Sequence, residues 1–126
     1  QANPIAVVGQ LIVPAAERDS FHQGYDRMSE LFSESPGFLS MELGQSTDSL
    51  EDLIVIHRWE SVGSYRKALS RFEIKAEVIP FLSQFTRDSV TVEIISDTQS
   101  GKAVMGASSL APDSGTFDRG SVHGER

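Results

Sequence analysis

The stretch DLIVIHRWESVGSYR, residues 52–66, joins two kinds of order in fifteen positions. Its first part, Leu53 to Trp59, is apolar and rich in β-branched residues, and the period of two along a strand puts His57 and Trp59 on one side. Ser61 then stands where a helix N-cap belongs, with a hydroxyl able to accept from first-turn amides. Val62, Tyr65, Leu69 and Phe72 follow at spacings of three, four and three, the apolar stripe of a helix. The segment therefore reads as strand, cap, helix.

Upstream, the run IAVVGQLIV (5–13) is ended by Pro14 and reads as a first strand. Over 15–35, Phe21, Tyr25, Met28 and Phe32 recur at helical spacing, although Gly24 costs that helix about 1 kcal/mol against alanine. Pro36 and Gly37 end it in a turn. A second strand, FLSMELGQS (38–46), alternates Leu39, Met41 and Leu43 with polar or small residues, which predicts that those three share the drier face. Downstream, the helical pattern persists through Ile74, Val78 and Leu82, with Pro80 expected either to break it or to start a new short turn, and DSVTVEII (88–95) reads as a fourth strand.

The order β-α-β-β-α-β is the split βαβ arrangement of a ferredoxin-like α+β fold with an antiparallel sheet. We expect one domain over 1–96, followed by a polar tail over 97–126 without regular structure, since that stretch is rich in Gly, Ser and Asp and has no sustained period. Strands one and three are apolar on both faces. Two helices cover one face of a four-stranded sheet, so the other face predicts a homodimer formed sheet against sheet.

Composition narrows the function classes. A formal net charge of -7 disfavours phosphate backbones, so nucleic acid is not an expected partner. No apolar run approaches the ~20 residues of a membrane span. The chain has no cysteine, which excludes disulfides, thiolate metal sites and cysteine nucleophiles, and agrees with a cytoplasmic location. It opens on Gln1 instead of methionine and reads as a trimmed sequence. There is no Walker loop, GxGxxG or GxSxG elbow, and three scattered histidines lack metal-ligand spacing.

The segments VPAAERDSF, SPGFLSMEL and VIHRWESVGSYRKAL resemble the antibiotic biosynthesis monooxygenase family over about Pro4 to Ser96. The resemblance implies a dimeric α/β barrel of ferredoxin-like subunits. It further implies a cofactor-independent monooxygenase that oxidises a phenolic or polycyclic aromatic substrate with dioxygen. In the quinone-forming branch an Asn, a Trp and a Tyr attend the substrate. Trp59 and Tyr65 match the last two in kind and spacing, but Val55 occupies the asparagine position and the chain's one asparagine is Asn3. The polar group is thus either absent or supplied by His57. Haem-degrading relatives carry a strand-one Asn and a helix-two His; here the first place holds Gly9 or Gln10, and 61–84 holds no histidine, so haem is disfavoured.

His57 is the candidate general base, because an imidazole with a pKa near ~6.5 takes protons at neutral pH. Its structural alternative is a half-buried histidine bonded to a backbone carbonyl or beside Glu60. Tyr65 is the second catalytic candidate, as a donor to a substrate oxygen, or a core residue with a wet tip. Trp59 would stack on the ligand or simply pack, with Val55, His22 and Leu69 as further wall candidates. Arg58 points to the opposite face, where Glu42 or Glu93 could pair with it. A non-catalytic dimeric module that binds a small apolar molecule is the alternative function.

Overall fold

The computed structural model describes residues 3–106. Four strands form one antiparallel sheet in the order β2-β3-β1-β4: β1 (Ile5–Ile12), β2 (Phe38–Gln45), β3 (Asp52–Trp59) and β4 (Thr86–Glu93). Both crossovers skip a neighbouring strand, and both lay their helices on the same face. The first is α1 (Arg18–Ser33), entered through one 3-10 turn at Ala15–Glu17. The second is α2 (Val62–Leu69), a π-helical segment (Ile74–Val78) and α3 (Ile79–Phe85). The α+β ferredoxin-like architecture is the one that the strand and helix periods predict.

Alternation sorts the central strands. Ile5, Val7, Leu11, Leu53, Val55 and Trp59 are buried against the helices, where Phe21, Met28 and Phe32 of α1 meet them. Ser61 caps α2: its hydroxyl accepts from the Ser64 amide at 3.1 Å, while the Ser64 hydroxyl accepts from the Ser61 amide at 3.2 Å, a reciprocal capping box. Two glycines set close approaches. Gly37 has φ +88°, and a Cβ there would collide with Ser64, so the turn before β2 sits directly against the start of α2. Gly24, the weak point of α1 by propensity, faces Phe81 of α3, whose ring occupies the space a Cβ would need.

Two details depart from the periodic reading, and a third decides between two expectations. The β2–β3 register shifts between Phe38 and Ser40, so Leu39 is 50% exposed and Phe38 takes the place opposite Trp59. Helix α2 stops at Leu69: the Ser70 hydroxyl donates to the Lys67 carbonyl at 2.6 Å, and Arg71 turns inward, donating to the Leu31 carbonyl at 3.0 Å and to Ser35 Oγ at 2.6 Å. Phe72, expected on the buried stripe, is left 79% exposed. Pro80 starts a new short helix, the second of the two outcomes expected of it. The π-helical segment precedes it and places it in the first turn of α3, where its missing N–H is no loss.

Beyond the sheet, β5 (Ser96–Gln99) and β6 (Lys102–Met105) form a hairpin where a tail without regular structure was expected. Gly101, at φ +78°, supplies the left-handed residue its tight turn needs. Residues 107–126, which hold the rest of that tail and His123, lie outside the described residues. No helix among the described residues is long and apolar enough to cross a membrane.

Candidate functional site

The end of β3 carries an aromatic box. His57 and Trp59 project from the helix-facing side of the strand, as the alternation predicts. Phe32 of α1 lies across both, with ring centres 4.9 Å from His57 and 5.3 Å from Trp59. Tyr65 of α2 stands 5.6 Å from each of them. Phe38, brought round by the β2 bulge, meets Trp59 edge to face at 5.3 Å. Phe38 escaped the sequence reading because an unbroken alternation gives that role to Leu39. The neighbouring Pro36-Gly37 turn was its one signal.

Within the box, the Trp59 indole Nε1–H donates to His57 Nδ1 at 2.8 Å. Indole nitrogen is a donor only, so Nδ1 must present its lone pair, and the ring proton of a neutral imidazole is then on Nε2. Neither a backbone carbonyl nor Glu60 is its partner. His57 is 3% exposed, and burial pushes its pKa from the ordinary 6.5 down to about 4. It is neutral at pH 7, and its lone pair is engaged. Burial also raises the Tyr65 hydroxyl above its usual range, so Tyr65 keeps its proton and is available as a donor.

The remaining wall candidates divide. Val55 is buried on the same side of β3, between Gly9 of β1 and Leu43 of β2 in the ladder, and brings no polar atom. Leu69 is partly buried and packs on the core from α2. His22 is exposed on α1, in edge contact with Phe21, and is not brought to the box. Arg58 lies on the opposite face, where its Nη1 meets Glu42 Oε1 across the strands at 3.3 Å, one of the two pairings expected of it. Among the described residues, no group of three or more His, Asp or Glu is placed to hold a metal ion.

The other side of the sheet is different in kind. A cavity of about 300 Å3 opens there at the far end of the strands, among Gln10, Ile12, Ser46, Asp52, Ile54 and Arg87. Along the same face Val8, Ile54 and Ile56 are half-buried and Val90 is 52% exposed, an apolar surface without a cover among the described residues.

A family model described as antibiotic biosynthesis monooxygenase matches residues 4–76, more than half of the chain. Among solved structures, the fold is similar to SnoaB, a cofactor-independent oxygenase from Streptomyces nogalater, at 20% identity and a TM-score of 0.64, over 72% of this chain and 92% of that one. An asparagine-to-alanine variant of SnoaB matches at 21% identity and a TM-score of 0.61, over 72% of this chain and 90% of that one. A conserved protein from Methanosarcina mazei Go1 matches at 18% identity and a TM-score of 0.65, over 72% of this chain and 92% of that one. No curated protein matches. The shared fold and the matched segment, which contains β1 to α2 and the whole aromatic box, identify this chain as a member of the antibiotic biosynthesis monooxygenase family.

Proposed function

We propose that this protein is a cofactor-independent monooxygenase that oxidises a hydroxylated polycyclic aromatic compound with dioxygen. The observation that carries the reading is the box itself, in which Phe32, Trp59 and Tyr65 meet the buried imidazole of His57 and Phe38 packs on Trp59. Trp59 and Phe32 are fully buried, so a flat aromatic ligand would lie against the half-buried Tyr65, whose hydroxyl can donate to its oxygen. Family membership and the likeness to an oxygenase of known type support the same chemistry.

The reaction needs no bound redox group when the substrate is electron-rich. An anthrone-type CH2 loses a proton to give an enolate. The enolate passes one electron to dioxygen, the resulting radical pair combines into a peroxide anion, and that anion takes up a proton. Loss of water leaves a C=O, so one oxygen atom enters the product and the other leaves as water. The protein's part is to hold the anion next to oxygen, away from bulk solvent, and to offer donors where negative charge resides.

The open apolar face of the sheet favours a homodimer in which a second copy packs sheet on sheet, leaving each aromatic box on the helix side of its own subunit.

Oxygen consumption measured with anthrones and quinols tests the activity. We expect protein-dependent uptake, one O2 per quinone formed, that falls at least tenfold in Tyr65→Phe. Binding of those compounds without uptake above the protein-free rate would instead establish the non-catalytic binding module.

A further inference from the structure

The contact between Trp59 and His57 fixes more than packing. A neutral imidazole has one ring N–H and one lone pair. In His57 the lone pair is Nδ1, and the Trp59 indole N–H already occupies it at 2.8 Å. Protonating Nδ1 would set two donors against each other inside a buried box. A general base needs a free lone pair within reach of the proton it removes, and this ring has none to offer. It does have a proton to give, on Nε2.

We infer that Trp59 is a positioning residue that locks His57 as the neutral Nε2–H tautomer, so that His57 serves this site as a hydrogen-bond donor to a substrate oxyanion and not as the base that forms it. The inference rests on the oxygenase reading for its substrate and on the Trp59–His57 geometry for the tautomer. The groups that surround His57 agree with a neutral ring. Phe32 meets it from α1, Val7 and Met41 are its ladder neighbours on β1 and β2, and Tyr65 reaches it from α2. Tyr65 is the titratable member of that group, and burial keeps it protonated. Desolvation moves His57 itself in the same direction.

With no free lone pair on His57, the substrate's proton passes to water, so turnover should follow the substrate's own acidity and not the titration of a protein group. His57 Nε2–H and the Tyr65 hydroxyl then supply two neutral donors to one delocalised anion.

Two measurements on the full chain decide the matter separately. Nitrogen-15 NMR of labelled histidine, with His57→Gln identifying the signal, should show a protonated Nε2 and a bare Nδ1 in His57 from pH 7 down to pH 5. In Trp59→Phe the titration midpoint should rise by a unit or more and the tautomers should mix. A wild-type ring protonated on Nδ1, or titrating near pH 6.5, overturns the assignment whatever the activity. The second measurement is the pH dependence of quinone formation with two anthrones of different acidity. The midpoint should move with the substrate's own pKa, and His57→Gln, which keeps an N–H donor, should retain activity within about tenfold. A substrate-independent midpoint together with a loss of about 10²–10⁴-fold in His57→Gln, the usual worth of a general base, overturns the donor role. If neither anthrone consumes oxygen, the oxygenase reading fails, and the NMR result still decides the tautomer.

Discussion

Along β3, Val55, His57 and Trp59 are buried beneath the helices, while Ile54, Ile56 and Arg58, one residue out of phase, lie on a face that no helix among the described residues covers. The same alternation continues on β1, where Val7 and Leu11 are buried and Val8 and Ile12 are half-open. The two faces differ little in how apolar their central residues are. They differ in what stands opposite: three helices bring rings and hydroxyls to one side, and no helix among the described residues lies on the other. A strand's pattern thus decides which residues travel together, and the connections decide which set becomes a site.

Truncating Trp59 attacks the closed face at its centre and should have the largest effect. Trp59→Ala removes a fully buried indole and the donor that satisfies His57 Nδ1, for an expected loss of about 3–5 kcal/mol in urea unfolding. A loss below about 1 kcal/mol would mean that the box is loosely packed and the contrast between the faces overstated.

Acid is the next probe of the closed face. His57 binds its proton at about 4 when folded and near 6.5 when unfolded, so above pH 6.5 both states are neutral and the group has no effect. As pH falls from 6.5 towards 4 the unfolded chain gains the proton first, and stability drops by about 1.4 kcal/mol per unit, up to about 3 kcal/mol. The difference in unfolding free energy between the wild type and His57→Gln, followed from pH 7.5 to 4.5, isolates this term from the carboxylates. A constant difference across that range would place a charged or solvated imidazole in the fold.

A backbone test follows. Gly37→Ala should cost upwards of about 1 kcal/mol, because φ +88° disfavours a side chain and the new methyl meets Ser64 at the start of α2. Thermal melting would read this as a lower midpoint.

The open face should respond in the opposite manner. Val90→Asp is expected to change the stability of the single subunit by less than about 1 kcal/mol, since Val90 is already 52% exposed. Light scattering after size exclusion should nonetheless show the mass of a dimer fall to that of a monomer. A wild type that is already monomeric would leave the apolar face without its proposed occupant.

Much of the fold was legible because its signals are local. The Ser61 cap, the Val62-Tyr65-Leu69 stripe and the alternation along β3 each depend on residues a few positions apart, and each is seen where the sequence places it. The errors arose where a distant contact outweighed a local period. Arg71 is drawn to the end of α1, and Phe72 is turned outward as a result. A register shift against β3 exchanges Leu39 for Phe38. Within the site, the sequence put His57 and Trp59 side by side and suggested Tyr65 as their neighbour, but a period of two says nothing about rotamers. That the indole points at Nδ1, which changes the chemistry available to the ring, is a property of the packed box.

The meeting of Gly24 and Phe81 carries its own implication for the history of this fold. Because the Phe81 ring fills the volume of a side chain that Gly24 lacks, α1 and α3 share one side chain's worth of space between two positions. A lineage that gains a larger residue at 24 must reduce the one at 81, and a lineage that keeps an aromatic at 81 must keep glycine at 24. Across related genes the two sites should therefore substitute as a pair, an exchange of volume recorded in descent.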